Sequence, residues 1–132
     1  MGKSASKKKT AAASTAGDDE SARGRLLGAA THLFCRYGIN ATGIDAIIDE
    51  AGTAKTTLYK LFGSKTNLVN AVLESEGKAW REWFIGAMED GGGDAQAKLK
   101  RIFPALKRWF AEERFYGCPF INAVGEHDKD QK

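Results

Sequence analysis

Cysteine, proline and histidine are each present only twice in 132 residues, and that scarcity removes several kinds of chemistry at once. Cys35 and Cys118 lie far apart in the chain, form no CxxC pair and offer no disulfide framework. Neither His32 nor His127 has a cysteine or second histidine beside it at ligand spacing, so no metal site is expected. No apolar run approaches the ~20 residues that a membrane span needs. The first twenty residues are rich in Lys, Ala and Ser and lack an apolar core, so they do not read as a secretory signal. Cytoplasmic residence with free thiols is the resulting expectation. No segment alternates apolar and polar residues as a strand does, and no internal repeat is visible. No nucleophile, base and orienting group fall together, so no catalytic residue and no cofactor are expected, and an enzyme is the least favoured class. The stretch Gly52-Thr53-Ala54-Lys55-Thr56-Thr57 has the flavour of a phosphate loop. It lacks the glycine directly before the lysine, the earlier glycine at the proper spacing and a preceding strand.

What remains is an ordinary globular balance, 42% apolar and 28% charged, of a length for one compact domain or one domain with a piece of another. The net charge is +3, unevenly spread. Residues 1–20 carry four lysines against three acids, residues 21–70 six basic against three acidic side chains, and residues 71–132 ten basic against eleven acidic. The positive excess lies in the N-terminal half, a mild footprint for a polyanion. Residues 1–20, with Lys3, Lys7, Lys8 and Lys9 and no apolar periodicity, read as a disordered basic arm. Such an arm is either a solvated tail or a source of non-specific phosphate attraction.

From residue 22 the period changes to that of a helix. Leu26, Leu27, Ala30, Leu33, Phe34 and Tyr37 line one face of a segment over 22–37, and Gly38 stops it as a C′ glycine does. Thr42 suits an N-cap, with Asp45 in the first turn of a short helix carrying Ile44, Ile47, Ile48 and Ala51. Gly52 breaks it. A third helix over 54–61 follows, with Leu58, Leu61 and Phe62 as its apolar side, and then Gly63 and Ser64, a cap for a long fourth helix reaching about Glu89. Gly91–Gly93 form a loop. A fifth helical stretch over 95–113 contains Pro104, which either kinks it or marks the first turn of a shorter helix. A sixth begins near Phe120.

Two short helices joined by a glycine-containing turn and packed on a longer one suggest a helix-turn-helix. Such a motif must expose polar side chains at the start of its second helix while the opposite side anchors in a small core. Thr53, Ala54, Lys55, Thr56, Thr57, Tyr59 and Lys60 are the exposed candidates, and Leu58, Leu61 and Phe62 the anchor. Lysine brings charge for phosphate or guanine, threonine a hydroxyl and a methyl, and small residues allow close approach to base edges.

At these residues the chain resembles the TetR family of bacterial transcriptional regulators. The stretch TGIDAIIDEAGTAKTTLYKLFGSK, Thr42 to Lys65, is similar to the family's signature. The preceding RLLGAATHLFCRYG is similar to its first helix, and GCPFINAVGE to a C-terminal segment of some members. The resemblance implies an all-α fold: a three-helix bundle with a helix-turn-helix over 21–70, joined by the long fourth helix to a partial helical ligand-binding and dimerisation domain over 71–132. It implies that Thr42 caps the second helix and touches a phosphate, that Lys55, Thr56 and Thr57 face the major groove or its rim, that Tyr59 gives its hydroxyl to a phosphate, that Lys60 reaches bases or flanking backbone, and that Lys65 pins the backbone at the positive end of the fourth helix. Asp45 departs from the family pattern, where a basic or neutral polar residue is usual. It reads either as a first-turn acid or as an acceptor for a cytosine amino group.

The partners expected on this resemblance are double-stranded DNA, a second copy of the chain on a near-palindromic operator, and a small apolar or aromatic effector, with no membrane. Repression is the commoner behaviour of the family. Trp80, Trp83, Phe84, Phe103, Trp109 and Phe110 read as helical core or as the lining of an effector pocket. The helices with which family members dimerise would follow Lys132. A helical protein-interaction module, or a DNA-binding fragment without regulation, is the alternative.

Overall fold

The structure, a computed structural model, describes residues 7–127, with side chains from 17 onward. Among the described residues it is all-α. The helices are α1 (Lys7–Tyr37), α2 (Ile44–Ala51), α3 (Lys55–Phe62), α4 (Lys65–Glu89), α5 (Ala95–Leu99), α6 (Ile102–Phe110) and α7 (Pro119–Glu126).

The first helix does not begin at residue 22. It starts at Lys7, so residues 7–20, expected as most of a disordered arm, continue α1, while residues 1–6 of that arm lie outside the described residues. The apolar stripe that betrays a helix is absent there, but alanine and lysine carry high intrinsic helix propensity, and an existing helix propagates cheaply into such residues.

Leu26, Ala29, Ala30 and Phe34 of α1 are buried against Ile47 and Ala51 of α2, Leu58 and Phe62 of α3, and Leu68 and Val72 of α4. Leu26, Ile47, Leu58 and Leu68 are sealed from solvent, each contributing about 1.5–3 kcal/mol through burial. The stripes predicted at helical spacing thus converge on one core. His32 Nδ1, 2.8 Å from Glu50 Oε1, ties α1 to α2. Gly52 ends α2 at φ +65°, which only glycine adopts without strain, and the chain turns into α3. Ser64 accepts the Asn67 N–H at 3.0 Å and caps α4 as expected, while Asn67 Nδ2 donates to the Phe62 carbonyl at 2.9 Å, fastening the end of α3 to the start of α4.

The expected helix over 95–113 is two helices. Pro104 is the third residue of α6, in the first turn, where a backbone N–H has no helical acceptor to lose. Arg101, between α5 and α6, donates to the carbonyls of Met88 at 2.6 Å and Gly92 at 2.7 Å, binding the glycine loop back onto the end of α4. α5, α6 and α7 all pack on α4, which is the shared spine of both halves.

Candidate nucleic-acid interface and effector cleft

α3 is eight residues long and presents two unlike sides. Leu58 and Phe62 sink into the core, and Arg23 of α1 lies over the Phe62 ring, 5.1 Å from its centroid. Ala54, Lys55, Thr56, Tyr59 and Lys60 are exposed, and Thr57 is half-buried. Ala54 is the N-cap and supplies no side-chain bond to the first amides of α3. Lys65, the first residue of α4, is half-buried beside the capping Ser64.

Two of the sequence-identified positions do not join this surface. Thr42 is only 3% exposed and is not the cap of α2, a place taken by Gly43 without any side-chain bond. Its hydroxyl donates to the Gly38 carbonyl at 2.7 Å, with the Leu33 carbonyl at 3.3 Å. Gly38 leaves α1 at φ +93°, and the carbonyls freed there need a donor, which Thr42 supplies. The hydroxyl oxygen of Thr53 is likewise buried, and it has no hydrogen-bond partner among the described residues.

Each exposed lysine of α3 has an acid beside it. Lys55 Nζ stands 3.5 Å from Asp45 and Lys60 Nζ 2.9 Å from Asp19. Asp45 is in the first turn of α2, which suits a carboxylate at the positive end of a helix.

In the other half, Trp80 stacks on Phe84 with ring centroids 4.7 Å apart and meets Trp109 at 5.5 Å. Trp109 and Phe110 both pack on Phe115, at 5.1 and 5.2 Å. Beside this cluster opens a cleft of 370 Å³ whose walls include Trp80, Trp109, Phe115, Tyr116 and Phe120, with Glu76, Glu112, Arg114, Cys35 and Cys118 among its polar and thiol groups. Of the six aromatics read as helical core or as pocket lining, Trp80 and Trp109 line this cleft. Phe84, Phe103 and Phe110 are not among its walls, Trp83 borders a separate open groove with Gly86, Asp90 and Arg108, and Phe103 is 80% exposed. Helical period places a residue on a face but does not say which part of that face another helix covers. Phe115 and Tyr116 lie in the α6–α7 loop, where no period marks them, and nothing in the sequence turns Phe120, in the first turn of α7, toward a cleft. Burial, and then Glu112, raise the Glu76 carboxyl above its usual range; burial, and then Glu76, raise the Cys35 thiol.

A family model described as "Bacterial regulatory proteins, tetR family" matches residues 26–72, the span from α1 through α3 into α4. Residues 26–72 thus form a TetR-family helix-turn-helix region. The crystal structure of SCO4454, a TetR-family transcriptional regulator from Streptomyces coelicolor, superimposes with a TM-score of 0.76 at 34% identity, covering 81% of this chain and 56% of that one. Among curated relatives, an uncharacterized HTH-type transcriptional regulator of Lactococcus lactis is 29% identical over 77% of this chain and 53% of its own length. The HTH-type transcriptional repressor KstR2 of Mycobacterium tuberculosis is 33% identical over 89% of this chain and 64% of its own. The HTH-type transcriptional activator FasR of Mycolicibacterium smegmatis is 48% identical over 39% of this chain and 24% of its own. The chain therefore spans about a quarter to two thirds of the length of these relatives.

Within this TetR-family frame the structure brings Ala54, Lys55, Thr56, Tyr59 and Lys60 onto one outward surface, with Lys65 at the head of α4. Asp19 and Glu126 also bear on this half of the chain; Asp19 carried no signal in the sequence, and Glu126, though the last residue of the GCPFINAVGE segment, carried none of its contact with the turn after α1. Each acts across a separation of more than forty residues. No helix of the described residues is long and apolar enough to cross a membrane.

Proposed function

We propose that the protein is a sequence-specific DNA-binding transcriptional regulator, a ligand-responsive repressor whose α3 enters the major groove of a palindromic operator and which acts in the cytoplasm, where its DNA is. The observation that carries this is the two-sidedness of α3: Leu58 and Phe62 are buried, while Lys55, Thr56, Tyr59 and Lys60 stand free of the core at its exposed face. A helix so anchored reads base edges with its first turns and holds phosphates with its rim. Lys65 adds charge at the N-terminus of α4. A second copy of the chain occupies the other half-site. The effector is a small apolar or aromatic molecule seated in the cleft between Trp80, Trp109 and Phe120, with Glu76, Glu112 and Arg114 as its polar contacts. Among the similar proteins KstR2 is a repressor and FasR an activator, so the sign of the effect rests on repression being the commoner behaviour of the family.

Selection of bound sequences from a random duplex pool at moderate salt tests the reading. An enriched inverted repeat bound by two chains supports it. Binding without enrichment, vanishing as salt rises, sinks the sequence-specific part and leaves charge alone as the basis of attachment. No binding at low salt favours a helical protein-interaction module instead.

A further inference from the structure

Glu126 stands in the last turn of α7, but its carboxylate serves a different part of the molecule. Its Oε2 accepts the backbone N–H of Ile39 at 2.7 Å and its Oε1 that of Asn40 at 2.8 Å. Asn40 Nδ2 returns a bond to the Glu126 carbonyl at 3.4 Å. These amides lie in the turn between α1 and α2, 86 and 87 residues away in the chain. Both oxygens of one carboxylate hold adjacent amides, a charge-assisted arrangement stronger and more directional than a neutral bond. The approach is close enough that a Cβ at Gly38 would lie 2.9 Å from Oε1. Gly38 is required by its φ of +93°, and a side chain there would also press on the carboxylate.

α7 is eight residues, about 12 Å, from end to end. At its start, Pro119, Phe120 and Ile121 form part of the wall of the aromatic cleft. Along its length, Pro119, Asn122 and Ala123 join Phe34, Val69 and Val72 in lining a small cavity of 20 Å³ between α7 and helices α1 and α4. At its end stands the carboxylate. One short helix therefore touches the cleft at one end and grips the entrance to the helix-turn-helix at the other.

We propose that Glu126 is a positioning residue through which α7 sets the bearing of α2 and α3 on DNA, so that displacement of α7 at the cleft is transmitted by its hold on the Ile39 and Asn40 amides. The inference rests on the reading of α3 as the DNA-contacting helix. The occupant of the cleft need not be known for its test.

The test uses the full chain with Glu126→Gln and Glu126→Ala, the DNA recovered by selection, and amide hydrogen exchange read at Ile39 and Asn40. Binding is measured well below the melting temperature of each variant. The expected result is faster exchange at those two amides, unchanged protection at Leu26 and Leu68, and a change of DNA affinity of about fivefold or more in the alanine variant. The glutamine variant falls between, because its amide keeps one acceptor and sets an NH2 group against the second N–H. Should the alanine variant not fold, the glutamine variant carries the same comparison. Faster exchange and a lower melting temperature with DNA affinity unchanged would make Glu126 a structural clamp only and overturn the proposal. Unchanged exchange would overturn the clamp itself. Lys60→Ala serves as the control: if it too leaves DNA affinity intact, α3 is not the reader, and the coupling falls together with that reading.

Discussion

Asp19 Oδ2 lies 2.9 Å from Lys60 Nζ, joining the N-terminal part of α1 to the exposed side of α3. The contact exists because α1 begins at Lys7 rather than near residue 22. An exposed pair of this kind adds at most about 1 kcal/mol to stability. Its consequence is electrostatic, since it sets a carboxylate beside one of the few cations of the proposed DNA surface. Asp45 does the same for Lys55 at 3.5 Å.

Neutralising either acid is expected to strengthen DNA binding. Asp19→Asn or Asp45→Asn leaves the melting temperature nearly unchanged, raises affinity at low salt and steepens the dependence of log K on log salt. Lys60→Ala acts in the opposite direction, lowering affinity and the magnitude of that slope by about one. Fluorescence-anisotropy titrations across a salt series check both. If Asp45→Asn instead lost affinity for only one sequence, Asp45 would be a base-reading acceptor.

Tyr59→Phe removes one hydroxyl from an exposed ring. If that hydroxyl serves a phosphate, the loss is about 1 kcal/mol and the same for every DNA sequence, because a phosphate contact carries no base information. A loss confined to the selected operator would move Tyr59 from the backbone to the base edges.

Thr42→Val is expected to destabilise the fold by about 1–2 kcal/mol, because it leaves the Gly38 carbonyl without the 2.7 Å bond it now accepts. Thr42→Ser keeps the hydroxyl and recovers most of the loss. Urea melts of the three proteins decide it. If serine destabilises and valine does not, packing of the methyl group matters rather than the hydroxyl.

Leu58→Ala, at a fully buried position under the proposed recognition helix, should cost about 2–5 kcal/mol through lost burial and the cavity left behind. DNA binding then declines with the folded fraction. Full activity in a stably folded Leu58→Ala protein would argue that the anchoring of α3 has been misjudged.

The raised pKa of Glu76 gives a pH dependence with a defined sign. Burial and then Glu112 disfavour its charged form in the folded protein. The folded state therefore holds a proton more tightly than the unfolded state, and stability falls as pH rises from the unfolded carboxylate pKa through the raised folded value. Glu76→Gln removes this cost. It is expected to raise the melting temperature at neutral pH, with the gain shrinking as pH falls through the raised folded value and gone below about 4, where the wild-type carboxyl is protonated in the folded and unfolded states alike. A gain independent of pH would point to packing, not charge.

How much of this was written in the chain differs by element. The core was legible because burial leaves a periodic trace: Leu26, Ala30 and Phe34, then Ile47 and Ala51, then Leu58 and Phe62 recur as helical geometry demands. Gly52 and the Ser64 cap were legible because their chemistry is local. So was the polar start of α3. The sequence by itself thus determined an all-α chain with a helix-turn-helix and named the residues of its outward face. Tertiary structure alone decided the rest. It turned Thr42 from cap to core by offering its hydroxyl the carbonyls at the end of α1, a competition that no local rule resolves. It selected Trp80 and Trp109 out of six aromatics of the same spacing, because the cleft is the space left between α4, α6 and α7. It brought Asp19 to Lys60 and Glu126 to Ile39. Those last contacts depend on where distant helices pack, and ion pairs and amide–carboxylate bonds leave no periodic mark on the segments that make them.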